Sequence, residues 1–388
     1  MNTILFDNSH REDLLPLVFT KPISELRIGI LTFRERWEKI LSQNCNSLTA
    51  NYLQKKFPVK IENENLLINA AFFPDNILIS EIENLDFHSI LKKNDIFIAA
   101  KLPADRIRFF ETQPLDNEKV IESQTQGFCV RYPWDIFSNN GKAIAFDFEL
   151  LTKNRKSASL SATNRVKCAE NIFLEEGAKV EFSILNAENS YIYIGKDAEI
   201  MEGCLIRGSL ALCQGATLKM GAKIYGPTTV GIHSKIGGEV NNSVISGYSN
   251  KAHDGFLGNS VLGEWCNLGA DTNNSNLKNN YLEVKVWNYV KKSFIPTGLQ
   301  FCGLTMGDHS KSGINTMFNT GTVIGVSTNI FGDGFPRSFV PSFSWGGASG
   351  FTDYELAKAI ETAKTVMKRR NIEFTNIDEE IFAYLYSK

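Results

Sequence analysis

Several things are missing from this 388-residue chain, and each absence narrows what it can be. No uninterrupted apolar run approaches the roughly 20 residues that a membrane-spanning helix needs. There is no basic excess: 41 Lys and Arg stand against 43 Asp and Glu, for a net charge of −2. A dedicated nucleic-acid binder usually carries such an excess, so neither nucleic acid nor membrane is expected as a partner. Met1 to His10 includes Asp7 and lacks the apolar stretch of a signal peptide. The seven cysteines are odd in number, widely spaced and without a CxxC pair. That argues against a disulfide framework or a zinc site and for free thiols in a reducing cytoplasm. Hydrophobic residues at 43% and charged residues at 22% are ordinary for a globular protein with a real core. The length suggests two or three domains.

What is present is a repeat of six. Ile194, Ile200, Ile206, Leu212, Leu218, Ile224, Val230 and Ile236 follow without a miss. Four positions after each stand mostly small residues: Ala198, Cys204, Leu210, Ala216, Ala222, Thr228, Ser234 and Val240. A period of six fits neither an α-helix nor a coiled coil. It fits short strands whose side chains alternate in and out, three to a triangular coil, with large aliphatic residues filling the interior. The expectation is a parallel β-helix from about Arg165 to Trp345. After Ile236 the register slips and resumes at Val244, Asn250, Phe256, Leu262 and Leu268, which places Asn250 inside the coil. A last set is Phe318, Ile324 and Ile330. Between Asn273 and Gly303 the pattern breaks. There Tyr281 to Tyr289 alternates, and Phe294 to Phe301 is placed to pair with it as a projecting hairpin.

Beyond the repeat, Thr352 or Asp353 is expected to cap a helix with Leu356, Ile360, Ala363 and Met367 on one face. A second short helix is expected over Asp378 to Tyr386. The part up to about Lys156 reads as α/β. Its strands are expected at Thr3–Phe6, Leu66–Ile68 and Asp95–Ala100, and its helix over Ile30 to Leu41 with Phe33, Trp37 and Leu41 inward. Lys153-Asn-Arg-Lys-Ser-Ala-Ser is the expected linker. The domains are then 1–156, 157–350 and a helical segment 351–388.

The segment EVNNSVISGYSNKAHDGFLGNSVLGEWCNLGADTNNSN, from Glu239 to Asn276, closely resembles the acetyltransferase half of the bifunctional N-acetylglucosamine-1-phosphate uridylyltransferase/glucosamine-1-phosphate acetyltransferases. LLPLVFTKPISELRIGIL and QFCGLTMGDHSKSGINTMFNTGTVIG extend the likeness over nearly the whole chain. The resemblance is specific in the repeats and weak before residue 160. It implies a shortened sugar nucleotidyltransferase domain followed by a left-handed parallel β-helix, with C-terminal helices and a homotrimer whose active sites lie between neighbouring coils. It also implies a place in UDP-N-acetylglucosamine biosynthesis, with acetyl-CoA as cosubstrate.

Acetyl transfer to an amine requires a base, because only the unprotonated nitrogen attacks the thioester, and donors for the developing oxyanion. By resemblance His253 is that base, a role to which imidazole is suited by an ordinary pKa of about 6.5. Glu239 matches the glutamate that orients it, and Asn267 and Asn276 match asparagines that position the sugar. Lys223 lies near a phosphate-binding arginine, and Ala270 holds the place of a backbone N–H that contacts the thioester oxygen. Asp308, Gly332 and Arg337 are further candidates for the acetyl-CoA cleft. The departures are Asn241 for a phosphate-binding lysine, Phe256 for a tyrosine with the same task, and Ile314 for a serine at the coenzyme site. The grip on the sugar phosphate is therefore altered.

Each of these has a plainer reading. A lone histidine in a β-helix is usually a turn residue, which also suits His233 and His309. The asparagines of NNSNLKNN make turns. Lys364, Lys368, Arg369 and Arg370 read as a solvated helix face that could also meet the phosphates of coenzyme A. A carbonic anhydrase-like metal site would need three histidines across subunits, and His233 and His253 have no evident third partner.

The N-terminal half departs further. Sugar nucleotidyltransferases follow the first strand with a glycine-rich loop that cradles the triphosphate. Here TILFD is followed by NSHREDLLPLVFTKP, which has no glycine. Arg11, Lys21 and Arg27, with Arg34, are weak candidates for holding phosphates. Where the resemblance puts a magnesium ligand stand Ala70 and Ala71, so Mg2+ would need Asp75 or Asp95. Two classes of function stay open. One is an acetyltransferase, with or without nucleotidyl transfer. The other is a non-catalytic assembly or sugar-nucleotide-sensing protein on the same scaffold.

Overall fold

A computed structural model describes residues 1–107 and 118–388. The chain divides into two compact units. The first comprises 1–12, 21–26 and 31–131. The second comprises 13–20, 27–30 and 132–388.

The first unit is α/β, as its alternation of short apolar runs and turn residues requires. Its mixed sheet runs β2 (Cys45–Leu48), β1 (Asn2–Phe6), β3 (Glu64–Asn69), β6 (Ile96–Pro103), β5 (Ser89–Lys93), β7 (Lys119–Glu122). β1 is parallel to both of its neighbours, and β6 is antiparallel to β3 and β5. A small antiparallel pair, β4 (Phe72–Phe73) and β8 (Phe128–Cys129), lies outside this sheet. Ile4, Phe6, Leu67, Ile90, Ala100 and Leu102 form the core. The first helix, α1, spans Phe33–Leu41 and starts later than Ile30 because Thr32 caps it reciprocally with Glu35. Phe33 and Trp37 are buried as expected, but the third buried position is Arg36, whose guanidinium lies 4.2 Å from the Phe73 ring. Leu41 is half-buried. A second helix, α2, spans Asn76–Glu83.

The second unit is a parallel β-helix with three sheets of nine, ten and six strands, the last continued by the pair Asn273–Asn274 and Met317–Phe318. The eight aliphatic residues from Ile194 to Ile236 all lie in the buried interior column, and Ala198, Cys204, Ala216, Ala222 and Ser234 are fully buried. After Ile236 the interior residues are Val240, Ile245, Lys251, Leu257, Leu262 and Leu268, so the expected register was one residue early at Val244, Asn250 and Phe256. Val230 pairs with Ile245 and Ile236 pairs with Lys251, which fixes the phase. Val244 is nonetheless fully buried, because the long helix α3 (Pro133–Thr152) covers the outer face of the first sheet. Asn140 of α3 accepts hydrogen bonds from Thr229 Oγ1 (3.0 Å) and Gly29 N (2.8 Å), and Asp147 accepts from Ile30 N (2.8 Å). Gly29, at φ +76°, has no room for a side chain: a Cβ would lie 2.5 Å from Asp147 Oδ2.

Between coils, Lys285–Asn288 and Ser293–Pro296 form the expected antiparallel hairpin. At the C-terminal end, Thr352 and Asp353 do not cap a helix. They belong to the strand Gly350–Asp353, antiparallel to Ser344–Gly347. Helix α4 (Leu356–Lys368) follows, burying Ala359, Ala363 and Met367, and α5 (Asn376–Tyr386) is closed by a Thr375–Asp378 capping box.

Candidate functional site

The second sheet builds a cleft of about 750 Å³. Its floor is a row of outward-facing cross-strand neighbours. Lys235 pairs with Asn250, Asn250 with Asn267, and Asn267 with Lys311. Adjacent strands lie about 4.8 Å apart, so four polar side chains stand in file.

One wall is the column of turns that leads to the third sheet. It carries His253 with Ala252, then Gly269 and Ala270, then Ile314. These turns sit coil on coil with little clearance: a Cβ on Gly269 would come within 2.4 Å of the Gly313 backbone. The Ala270 carbonyl accepts from Asn315 N at 2.8 Å. His253 and Asn267 are exposed, and Ile314 is 70% exposed.

The other wall begins at the opposite corner. There His233, Tyr248, Trp265 and His309 all adopt left-handed backbone angles of φ +55° to +61°. That conformation aims successive side chains along one edge. Tyr248 and Trp265 stack at 4.2 Å and 5°, flanked by His233 and His309. Phe374 and Phe382 meet His309 edge-on and dock α5 onto the column. Gly215 holds the same corner one coil earlier, where a Cβ would strike His233 Nδ1 at 2.4 Å. The end of α4 completes this wall with Val366, Arg369 and Arg370.

Four cationic groups therefore face one cleft: Lys235, Lys311, Arg369 and Arg370. The Lys311 amine donates to the His309 carbonyl at 2.7 Å, and burial lowers its pKa to about 8. A basic cleft with an aromatic wall suits an anionic ligand.

Of the residues singled out in the sequence, His253, Asn267, Ala270 and Ile314 come together here. Lys223, Asn241, Phe256 and Glu239 do not. They stand on the third sheet, where Lys223 pairs with Glu239 and Glu239 with Phe256, while Tyr225 pairs with Asn241. Glu239 accepts a hydrogen bond from Tyr225 Oη at 2.5 Å, and that bond raises the phenol to about 12. Among the described residues no hydrogen bond joins Glu239 to His253. Asn276 donates to Asn259 Oδ1 at 2.8 Å. Asp308 is buried and accepts from Glu264 N at 2.7 Å and from Thr20 Oγ1. Gly332 and Arg337 lie on an exposed loop outside the cleft lining.

Sequence reasoning missed Lys235, Lys311, Tyr248 and Trp265 as cleft residues. The signal was available for the floor: Lys235 directly precedes the interior Ile236 and so faces out. Arg369 and Arg370, read as a solvated face, line the cleft, whereas Lys364 pairs with Glu379 at 2.5 Å.

In the first unit Arg11 binds Asp7 at 2.9 Å and donates to Tyr52 Oη at 3.2 Å. Burial pushes the Asp7 carboxyl above its ordinary range, against the pull of Arg11, Thr49 and the Ile23 N–H. Lys21 is buried. Arg27 belongs to the second unit, where it donates to the Ile30 carbonyl and to Cys213 Sγ (3.9 Å). Asp75 caps α2 through Leu78 N (2.8 Å) and also accepts from Thr125 and Gln126. Burial raises its pKa, but these bonds outweigh that and hold the carboxyl below its usual value. Ala70 and Ala71 directly follow β3 and offer no side-chain oxygen, and no group of three His, Cys, Asp or Glu among the described residues is placed to hold a metal ion.

Residues 3–156 match the family model described as sugar nucleotidyl transferase. The chain is similar to the bifunctional sugar-1-phosphate nucleotidylyltransferase/acetyltransferase of Sulfurisphaera tokodaii, at 28% identity over 55% of this chain and 47% of that protein. It is also similar to the bifunctional protein GlmU of Methanocaldococcus jannaschii, at 30% identity over 36% of this chain and 28% of that protein. The chain thus spans about half or less of the length of these curated relatives. Among solved structures, the polySia-specific acetyltransferase NeuO aligns over 54% of this chain and 91% of its own, with 13% identity and a TM-score of 0.31. The resemblance read from the residues points to relatives of this same kind. No helix among the described residues is long and apolar enough to cross a membrane.

Proposed function

We propose that this protein transfers an acetyl group from acetyl-CoA to the amine of an amino-sugar phosphate of the glucosamine-1-phosphate type, with His253 as the base. The observation that carries the reading is the meeting of His253, Asn267 and Ala270 in a cleft with Lys235, Arg369 and Arg370 on its floor and rim. The cations suit the phosphates of coenzyme A. The Ala270 N–H suits the thioester oxygen, and Asn267 the sugar. In the reaction the amine nitrogen bonds to the thioester carbonyl carbon while His253 takes the proton the nitrogen loses. The C–S bond then breaks and the proton passes to the departing sulfur, giving an amide and free coenzyme A. The chain works in this reading as a cytoplasmic homotrimer in which a neighbouring coil closes the cleft, within UDP-N-acetylglucosamine synthesis. The first unit contributes at most slow nucleotidyl transfer.

A thiol-release assay with acetyl-CoA and a panel of amino-sugar phosphates tests this. His253→Ala is expected to lower kcat by about 10²–10⁴-fold, the usual contribution of a general base, with KM for acetyl-CoA nearly unchanged. Light scattering should find both proteins trimeric. Near-full activity in a trimeric His253→Ala protein would make the histidine structural and the non-catalytic scaffold the better reading.

A further inference from the structure

The interior column of the second sheet is apolar until it reaches the coil that bears His253. Val180, Ile200, Leu218 and Ile236 follow one another, and the next place is taken by Lys251, only 1% exposed. An ammonium inside a β-helix is costly unless something there uses it. Its Nζ donates to the backbone carbonyl of His253 at 2.7 Å. It also approaches the preceding coil closely, for a Cβ on Gly238 would lie 2.9 Å from it. Gly238 directly precedes Glu239, and Glu239 N donates to Gly255 O at 3.2 Å. The turn 252–255 packs on the Gly237–Gly238 pair so tightly that a Cβ on Gly237 would meet Ala252 O at 2.5 Å. Lys251 therefore fastens the turn bearing His253 from inside the coil, against the residues that lead into Glu239.

Resting on the acyltransfer reading, we propose that Lys251 is a positioning residue for His253, holding the 252–255 turn so that the imidazole stands over the cleft. The charged groups that face its ammonium are Asp254, on the same turn, and Asp271, on the next coil, whose N–H donates to Asp254 O at 3.0 Å. Burial lowers the Lys251 amine to about 8, and these two carboxylates pull the other way. Near and above that pH the anchor loses its charge while the aliphatic stack stays in place.

The test is Lys251→Met, which keeps the stem and removes the head. Replacing a buried charge with an apolar group of similar volume is often neutral or stabilising, so the variant should melt at or above the wild-type temperature. Its kcat for acetyl transfer should fall at least about tenfold, with KM for acetyl-CoA within about twofold. Independently of activity, the His253 ring resonances, assigned among the five histidines with His253→Ala, should shift in the variant. In the wild type they should show an alkaline step near pH 8 that the variant lacks. Wild-type kcat in Lys251→Met, or unmoved His253 resonances, overturns the inference. If the wild-type protein shows no acetyl transfer, the acyltransfer reading fails, and the resonances alone decide whether Lys251 places the ring. If Lys251→Met does not fold, Lys251→Gln, which keeps a donor of shorter reach, decides: shifted His253 resonances and a lowered kcat support the inference, and wild-type values of both overturn it.

Discussion

The two units treat their charged side chains in opposite ways. In the first, the groups that would hold a nucleotide are spent on their own neighbours: Arg11 on Asp7 and Tyr52, and Asp75 on the start of α2. In the second, Lys235 and Asn267 stand exposed on a strand row, beside an exposed imidazole. A group already satisfied inside its fold has little free energy left to offer a ligand, whereas an unspent cation in a cleft retains it.

The strongest way to break this comparison is to assay the first unit directly. With UTP, N-acetylglucosamine-1-phosphate and Mg2+, pyrophosphate release is expected to be at least about 10³-fold slower than an ordinary enzymatic turnover of about 10 per second. Release at several per second would show that other residues bind the metal and that the charges called spent are available. Next in size is the effect of Arg11→Met, which leaves the buried Asp7 carboxylate without its counter-charge. A loss of about 3 kcal/mol is expected, read as faster hydrogen exchange of the β1 amides, with acetyl transfer unchanged. The sign of its pH dependence follows from Asp7's raised pKa. The folded state prefers the protonated carboxyl, so the penalty is present above that pKa and fades as pH falls through it. An equal loss at all pH values would mean that Arg11 matters for packing alone. The smallest effect sharpens the other side. Replacing Arg369 and Arg370 together by Ala should raise KM for acetyl-CoA by about tenfold, less at high salt, with kcat nearly constant. If kcat falls instead and KM holds, these arginines act on the reaction rather than on the grip.

How legible was this in the sequence? The coils from Ile194 to Ile236 could be read because each side chain there has one face to choose, and large aliphatic residues choose the interior. The reading slipped where that choice is doubled. Val244 and Ile245 are both fully buried, one under α3 and the other inside the coil, so hydrophobicity alone cannot set the phase. Carrying the wrong phase forward put Asn250 inside and hid Lys251, a residue no hydropathy rule would place in an apolar column. Thr352 and Asp353 look like helix caps in isolation, but an open strand at Ser344–Gly347 recruits them first. In the cleft, His253, Asn267 and Ala270 were legible through a resembling block of residues, while Tyr248 and Trp265 were not. Their left-handed corner positions depend on how coils stack, and no local pattern reports it.

The hairpin inserted between coils also sets a clock on synthesis. Elsewhere, paired residues on successive coils are separated by 15 to 21 residues. Across the insertion, Leu304 N reaches Ser260 Oγ from 44 residues away. A ribosome adding about 5–20 residues per second supplies a typical next coil in about 1–4 seconds but takes about 2–9 seconds to deliver this one. For that interval the strand Val261–Leu262 is an unmatched edge at the end of a half-built column. The hairpin, which closes in microseconds once made, is finished long before its coil arrives. Within the β-helix this seam is where a growing chain waits longest, and where a second nascent chain has most time to pair with it by mistake.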